Sequence, residues 1–246
     1  MKNKKWISLA AAVILAVTAL PMTAFAAEKD GGEEKLTKVT LNEVAHSIFY
    51  APQYVAIEEG YFSEEGLDLT LITGFGADKV LTALISGEAD IGFMGAEASI
   101  YAYQEGATDP VVNFAQLTQR AGNFLVAREE MPDFKWEDLK GRKVLGGRKG
   151  GMPEMVFEYI LKKNGLDPEK DLSIDQSIDF GATAAAFTGD DSADFTVEFE
   201  PSATALEKQG AGYVVASLGV DSGYVPYTSY SCLLYTSPSP RDISGS

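Results

Sequence analysis

Among 246 residues the sequence has one histidine, His46, and one cysteine, Cys232. That scarcity excludes much chemistry at once. No H-E-x-x-H pair or Cys/His cluster is available to hold a metal. No disulfide can close within the chain, and no G-x-S-x-G elbow accompanies the lone histidine to complete a nucleophilic triad. Phosphate-cradling signatures are wanting too. Gly74-Phe75-Gly76 is followed by Lys79 where a dinucleotide fingerprint needs glycine, and Gly146–Glu154 lacks the G-K-[ST] ending of a P-loop. No cofactor is therefore expected. Basic residues are also few: 20 Lys+Arg stand against 36 Asp+Glu, a formal net charge of -16. A surface of that sign repels nucleic acid and anionic membranes. It leaves the charge of a small ligand open, because surface fields are screened within about 8 to 10 Å.

What is present at the N-terminus reads as an export signal. Lys2, Lys4 and Lys5 precede the apolar run Trp6–Leu20 and then Ala24-Phe25-Ala26, small residues suited to a cleavage site. The run falls short of the roughly 20 apolar residues of a membrane span. The expectation is a signal peptide over 1–26, removal of which makes the chain more acidic still, and an acidic solvated linker over 27–35. No cysteine near the cleavage site can accept a lipid, so the mature protein is expected free in the periplasm or extracytoplasmic space. At the other end, Cys232-Leu-Leu-Tyr-Thr-Ser-Pro-Ser-Pro-Arg-Asp242 is polar, rich in proline and aperiodic. It resembles the in-frame translation of a transposase-type sequencing adapter. The expectation is that 232–246 is a non-native tail and that the fold is incomplete at its C-terminus.

Between these ends, short β-rich runs alternate with amphipathic helical ones, the pattern of an α/β protein with mainly parallel sheets. The first series is strand Lys38–Val44, helix Ala51–Gly60, strand Leu67–Ile72, helix Ala77–Ser86, strand Asp90–Met94, helix Ala96–Gln104 and strand Val111–Leu117. After Arg120 a second series follows: strands Phe124–Ala127 and Lys143–Leu145, helix Pro153–Asn164, strand Leu172–Ile174, helix Thr183–Phe187 and strand Phe195–Phe199. Each series contains a helix end, a glycine, Ala-Asp and a strand: Gly87-Glu-Ala-Asp90 in one, Gly189-Asp-Asp-Ser-Ala-Asp194 in the other. Glycine can take the left-handed conformation that ends a helix. Two α/β units laid end to end are expected, a first lobe over 36–119 and a second over 120–225, with 226–231 starting back toward the first.

In open α/β sheets ligands bind beyond the C-terminal ends of strands. His46, Ser47, Phe49 and Tyr50 follow the first strand, a loop offering hydrogen bonds and aromatic faces, with Pro52 suited to a first helical turn. Gly74, Phe75 and Gly76 follow the second, where glycine lets backbone N–H groups approach a ligand. Ala96 and Glu97 stand at a helix start after the third. In the second series, Arg148, Gly150, Gly151 and Met152 lie between a strand and a helix, an anion-friendly cradle with Lys149 beside it. Glu200 ends a strand and is expected to accept hydrogen bonds from a cationic or N–H-bearing ligand. Glu198 shares its strand face, yet no nucleophile accompanies the pair, so acid–base catalysis is not expected there.

The run Ala-Pro-x-Tyr-Val-Ala-Ile-Glu-x-Gly-Tyr-Phe-x-x-Glu-Gly-Leu from Ala51 to Leu67 resembles the nitrate/sulfonate/taurine and thiamine-pyrimidine-precursor (SsuA/THI5-like) branch of substrate-binding proteins. So do Gly87-Glu-Ala-Asp-Ile-Gly92, Gly147-Arg-Lys-Gly-Gly-Met-Pro-Glu154 and Phe199-Glu-Pro201. The resemblance implies a two-lobed periplasmic-binding-protein type II fold that closes on a small molecule and docks on an ABC permease and ATPase complex as a monomer. By the same analogy the lobes are joined by crossings near Thr118–Asn123 and Tyr224–Thr228. Sulfonate or nitrate would use the Arg148 loop, whereas an aminopyrimidine would use Phe49, Tyr50 and Glu200. The heteroaromatic ligand is favoured, because a carboxylate repels an anion. Two rivals stand beside this reading. One is a synthase of the same resemblance group, which carries a cysteine-rich iron motif absent here. The other is the sensor domain of a signalling receptor.

Overall fold

The computed structural model describes residues 35–179 and 181–234. The expected signal peptide, nearly all of the acidic linker and the end of the tail lie outside the described residues. The fold contains two five-stranded sheets. In the first, strands β1 (Thr37–Glu43), β2 (Leu67–Thr73), β3 (Ile91–Met94), β4 (Val111–Thr118) and β10 (Thr228–Leu233) take the order β2-β1-β3-β10-β4. The second holds β5 (Asn123–Ala127), β6 (Lys143–Leu145), β7 (Ser173–Asp175), β8 (Phe195–Phe199) and β9 (Tyr213–Ser217) in the order β7-β6-β8-β5-β9.

β1 pairs in parallel with β2 and β3, and β6 with β7 and β8. Parallel neighbours need crossover helices, and the apolar spacing of the sequence supplies them. Helix α1 (Ala51–Glu58) and the single turn α2 (Tyr61–Glu64) connect β1 to β2, and α3 (Ala77–Ser86) connects β2 to β3. The helix read from sequence as Ala51–Gly60 thus stops two residues early, where Gly60 turns the chain at φ 80°. α3 sets Val80, Ala83 and Leu84 against β3. A Cβ on Gly92 would lie 2.7 Å from the Leu84 Cδ1 atom, so glycine is what lets this helix sit so close to its sheet. Gly87 then ends α3 at φ 76°.

After α4 (Glu97–Gln104) and β4 the chain enters the second sheet, where α5 (Met152–Lys163) buries Val156, Phe157, Ile160 and Leu161 at helical spacing. The closing elements escaped the sequence reading: α6 (Thr183–Gly189) was foreseen, but α7 (Ser202–Lys208), β9, α8 (Leu218–Ser222) and β10 were not. β10 is antiparallel to both β3 and β4 and lies between them, so the last strand among the described residues is inside the first sheet. Cys232 and Leu233, expected in an unstructured tail, extend this strand opposite Val112 and Val111.

Two crossings therefore join the sheets, from β4 to β5 and from α8 to β10. They are bonded to each other, Val225 N–H donating to the Gln119 carbonyl at 3.0 Å and Tyr227 N–H to the Thr118 carbonyl at 3.2 Å. This is the two-lobed α/β arrangement expected from the sequence.

Phe157 is fully buried in the larger core of the second sheet, whereas Tyr103 on α4 is 76% exposed. Phe157→Ala should cost about 3–5 kcal/mol and Tyr103→Ala within about 0.5 kcal/mol, as read from denaturant midpoints.

Candidate functional site

β1 ends at Glu43, a fully buried carboxylate that the sequence reading did not single out. Its oxygens accept from Gln53 Nε2 at 3.1 Å, Tyr54 OH at 2.8 Å and Thr73 Oγ1 at 3.0 Å, and pair with His46 Nδ1 at 2.9 Å. A buried carboxylate is tolerated when its lone pairs are filled in this way. The network ties the loop after β1 to its helix and to β2. His46 is thereby anchored, its ring 4.4 Å from that of Tyr54 while its side chain stays 66% exposed. Ser47 caps the short 3-10 turn Ile48–Tyr50, its Oγ accepting from Phe49 N–H.

That turn delivers Phe49 to the other sheet. Its ring lies 5.7 Å from Phe199 at the end of β8 and 5.7 Å from Tyr227 on the second crossing. Gly122, on the first crossing, has no side chain to block it: a Cβ there would overlap the Phe49 ring. Tyr50 turns the opposite way, its hydroxyl 3.4 Å from Thr228 Oγ1 and pushed up to about 12 by burial. The aromatic pair read from sequence therefore stands where strand ends of both sheets meet.

Glu97, in the first turn of α4, is only 4% exposed. It folds back over Gly95, where any Cβ would collide with the carboxylate. Oε1 accepts from Met152 N–H of the second sheet's α5 at 3.2 Å, and Oε2 has no hydrogen-bond partner. Burial raises this carboxyl to about 7. Ala96 precedes it as the N-cap residue, its carbonyl accepting from Ser99 Oγ.

The glycine loop before α5 does not present a free anion cradle. Gly150 N–H donates to Glu154 Oε2 at 3.1 Å, Met152 N–H is taken by Glu97, and Gly151 N–H bonds the Arg148 carbonyl. The protein's own carboxylates hold the donors that the sequence offered to an anion. Arg148 is also engaged, its Nη1 and Nη2 at 2.7 and 2.9 Å from the two oxygens of Asp78 at the start of α3, and it holds that carboxyl below its usual range. This fork spans the two sheets. Gly76 makes room for it, since a Cβ would lie 2.8 Å from Arg148 Nη1. Beside it, Phe75 adopts φ 57° with its ring exposed, and Gly74 N–H donates to the Glu43 carbonyl. Close by, a cavity of about 730 Å³ is lined by Tyr101 of α4 and by Lys149, Glu154 and Gln176 of the second sheet.

Glu200 accepts from Thr204 N–H and Oγ1 at 3.1 and 2.8 Å, one to each oxygen. It caps the first turn of α7. Glu198 is buried, accepts from Thr196 Oγ1 at 2.6 Å, and has its carboxyl raised by burial. Thr118, Asn123 and Tyr227 were not proposed as site residues from the sequence, yet each carries a buried polar atom without a partner. Their positions on the crossings were the only available signal. Among the described residues no group of His, Cys, Asp and Glu could hold a metal ion, and no helix is long and apolar enough to cross a membrane.

Glu97 generates a pH dependence of stability. Its folded carboxyl titrates near 7 and its unfolded one near 4.5, so the folded state binds the extra proton between those values. This contribution is fully present below pH 4.5 and is lost as pH rises through about 7. Glu154, raised by burial, and its neighbour Glu158, lowered by the hydrogen bond between them, shift in opposite directions, while Tyr50, Tyr101 and Tyr227 titrate far above this window. Melting temperatures measured from pH 4.5 to 7.5 should show a fall that is shallower in Glu97→Gln.

The described geometry can be set beside known proteins. The model of the family described as NMT1/THI5 like matches residues 48–239. The protein named "Putative binding protein YtlA" of Bacillus subtilis (strain 168) is 50% identical over 226 residues, covering 92% of this chain and 66% of the relative. This chain thus spans just under two thirds of that relative's length. Among solved structures, the periplasmic aliphatic sulphonate binding protein SsuA from Escherichia coli has a TM-score of 0.62 at 21% identity over 80% of this chain and 65% of its own. The periplasmic nitrate-binding protein NrtA from Synechocystis PCC 6803 has a TM-score of 0.63 at 18% identity over 81% of this chain and 56% of its own. At these identities the two structures speak for the fold, and the family match speaks for descent: the chain belongs to the NMT1/THI5-like family.

Proposed function

We propose that this chain is the extracytoplasmic solute-binding component of an ABC importer, holding a small polar or heteroaromatic solute between its two lobes without transforming it. The observation that carries this is the meeting of Phe49 from the first sheet with Phe199 and the crossing residue Tyr227, at a junction that also buries polar atoms lacking partners. Paired aromatic faces and unfilled hydrogen-bonding capacity suit recognition of a flat ligand. Binding is favoured over catalysis because the chain's single histidine is tied to Glu43, in a network that holds a loop in place. The names of YtlA, SsuA and NrtA agree with a binder.

On this reading residues 1–26 direct export and 27–35 form a linker. The lobes are 36–119 and 120–225, segment 226–231 returns to the first, and 232–246 is foreign to the native protein. Delivery follows when a permease and its ATPase engage the loaded protein, which acts as a monomer. His46, Phe75 and the Arg148 fork would lie at the rim of the cleft. Phe49, Tyr50, Glu97 and Glu200 would stand nearer its floor.

Differential scanning fluorimetry against aminopyrimidines, alkanesulfonates, taurine, nitrate, riboflavin and polyamines tests the proposal. A true ligand at 100 times its dissociation constant stabilises by about 2.7 kcal/mol, seen as a rise of several degrees in melting temperature. Absence of any shift across the panel, or turnover of a panel compound detected by mass spectrometry, contradicts it.

A further inference from the structure

Protein interiors seldom leave polar atoms unpaired, since each orphaned buried donor or acceptor costs about 1–3 kcal/mol. At the junction of the two sheets this chain does so repeatedly. Glu97 Oε2, Thr118 Oγ1, both amide atoms of Asn123 and the Tyr227 hydroxyl are buried without a hydrogen-bond partner. The residues that bear them are 0% to 9% exposed.

Backbone and ring contacts link the residues that carry these atoms, across both sheets and the strap between them. Burial raises the Tyr227 hydroxyl well above its usual range, with the Glu97 carboxylate adding in the same direction. The backbone N–H of Tyr227 holds the Thr118 carbonyl, and its ring touches Phe49 and Phe199. Asn123 pairs across the ladder with Phe199. Glu97 reaches the second sheet through Met152 N–H, which fixes its carboxylate and leaves Oε2 as the free oxygen.

The types of atom present define a complementary ligand. A carboxylate oxygen accepts, an asparagine amide both accepts and donates, and a phenol can do either. Such a set is filled by a molecule with an N–H donor beside an acceptor, its flat body lying against Phe49 and Phe199. An oxoanion offers acceptors alone and, above pH 7, where Glu97 is mostly ionised, brings negative charge toward that carboxylate. The cations that would balance an anion are elsewhere, with Arg148 forked onto Asp78 and the Met152 and Gly150 N–H groups held by carboxylates.

We propose that Glu97, Asn123 and Tyr227 form the specificity-determining polar set of the cleft, and that Glu97 selects neutral or cationic ligands bearing an N–H donor and rejects oxoanions. This rests on the solute-binding reading given above and settles which of its ligand classes the cleft takes.

The test is isothermal titration, at pH 8 so that Glu97 is mostly ionised, of the full chain and of Glu97→Gln, Asn123→Ala and Tyr227→Phe with two probe sets. 4-Aminopyrimidine and benzamidine present an N–H donor, whereas ethanesulfonate and nitrate are oxoanions. Circular dichroism melts establish that each variant is folded, and Tyr227→Phe, which removes only one oxygen, keeps the test decisive if a larger change unfolds the chain. The expected result is heat from a donor probe and none from the oxoanions. Glu97→Gln should weaken the donor probe at least about tenfold, with losses of about tenfold for Asn123→Ala and Tyr227→Phe. Oxoanion binding to the unmodified chain, or donor-probe affinity unchanged in all three variants, overturns the assignment while leaving solute binding intact. Silence from both probe sets removes the solute-binding reading together with it.

Discussion

Two backbone hydrogen bonds, from Tyr227 to Thr118 and from Val225 to Gln119, hold the two crossings of the chain side by side. Everything at the sheet junction depends on that pairing. It brings the end of β4, the start of β5 and the approach to β10 into one short band, so loops at the strand ends of both sheets face a common floor. The Phe49 ring can then reach Phe199 and Tyr227 only because Gly122, in the same band, offers no side chain in its path. The position of the aromatic floor follows from backbone pairing, and glycine sets its depth.

Carboxylates are treated in two ways near this floor, and the contrast separates structure from function. Glu43 is surrounded by donors from Gln53, Tyr54 and Thr73 and by His46, so it holds a loop in place with its capacity filled. Glu97 is as thoroughly buried but has one oxygen held by Met152 N–H and the other unfilled. Burial of an unpaired acceptor opposes folding, a cost that Glu97 carries and Glu43 does not. The Arg148–Asp78 fork differs again. Both groups are substantially exposed, so it orients the two rims relative to one another and adds little to stability.

Local rules made much of the first half legible. Ala77–Ser86 was read with the bounds the structure has, because apolar spacing at Val80, Ala83 and Leu84 coincides with a glycine that can turn left-handed at 87. Lys143–Leu145 was equally plain as a short strand around Val144, and keeps those bounds. β10 was missed for a physical reason: Ser229 and Ser231 face inward by hydrogen bonding to Asn113 Oδ1, so its buried side carries no apolar alternation. At the site, placement at strand ends was legible and pairing was not. Arg148 looked free in sequence because Asp78 stands seventy residues away, and the glycine loop looked vacant because Glu97 and Glu154 reach it only in three dimensions. Asn123 and Tyr227 gave no signal of their own, since hinge residues become neighbours only when the chain comes back.

The insertion of β10 between β3 and β4 also dictates an order of events during synthesis. Every strand of the second sheet comes from one uninterrupted stretch, β5 to β9, so that sheet can be completed as soon as its own residues leave the ribosome. The first sheet cannot: its β3 and β4 are joined only through β10, which lies beyond every strand of the second sheet in the chain. Although most of its residues are made first, the first sheet cannot close until the residues of the second have been made.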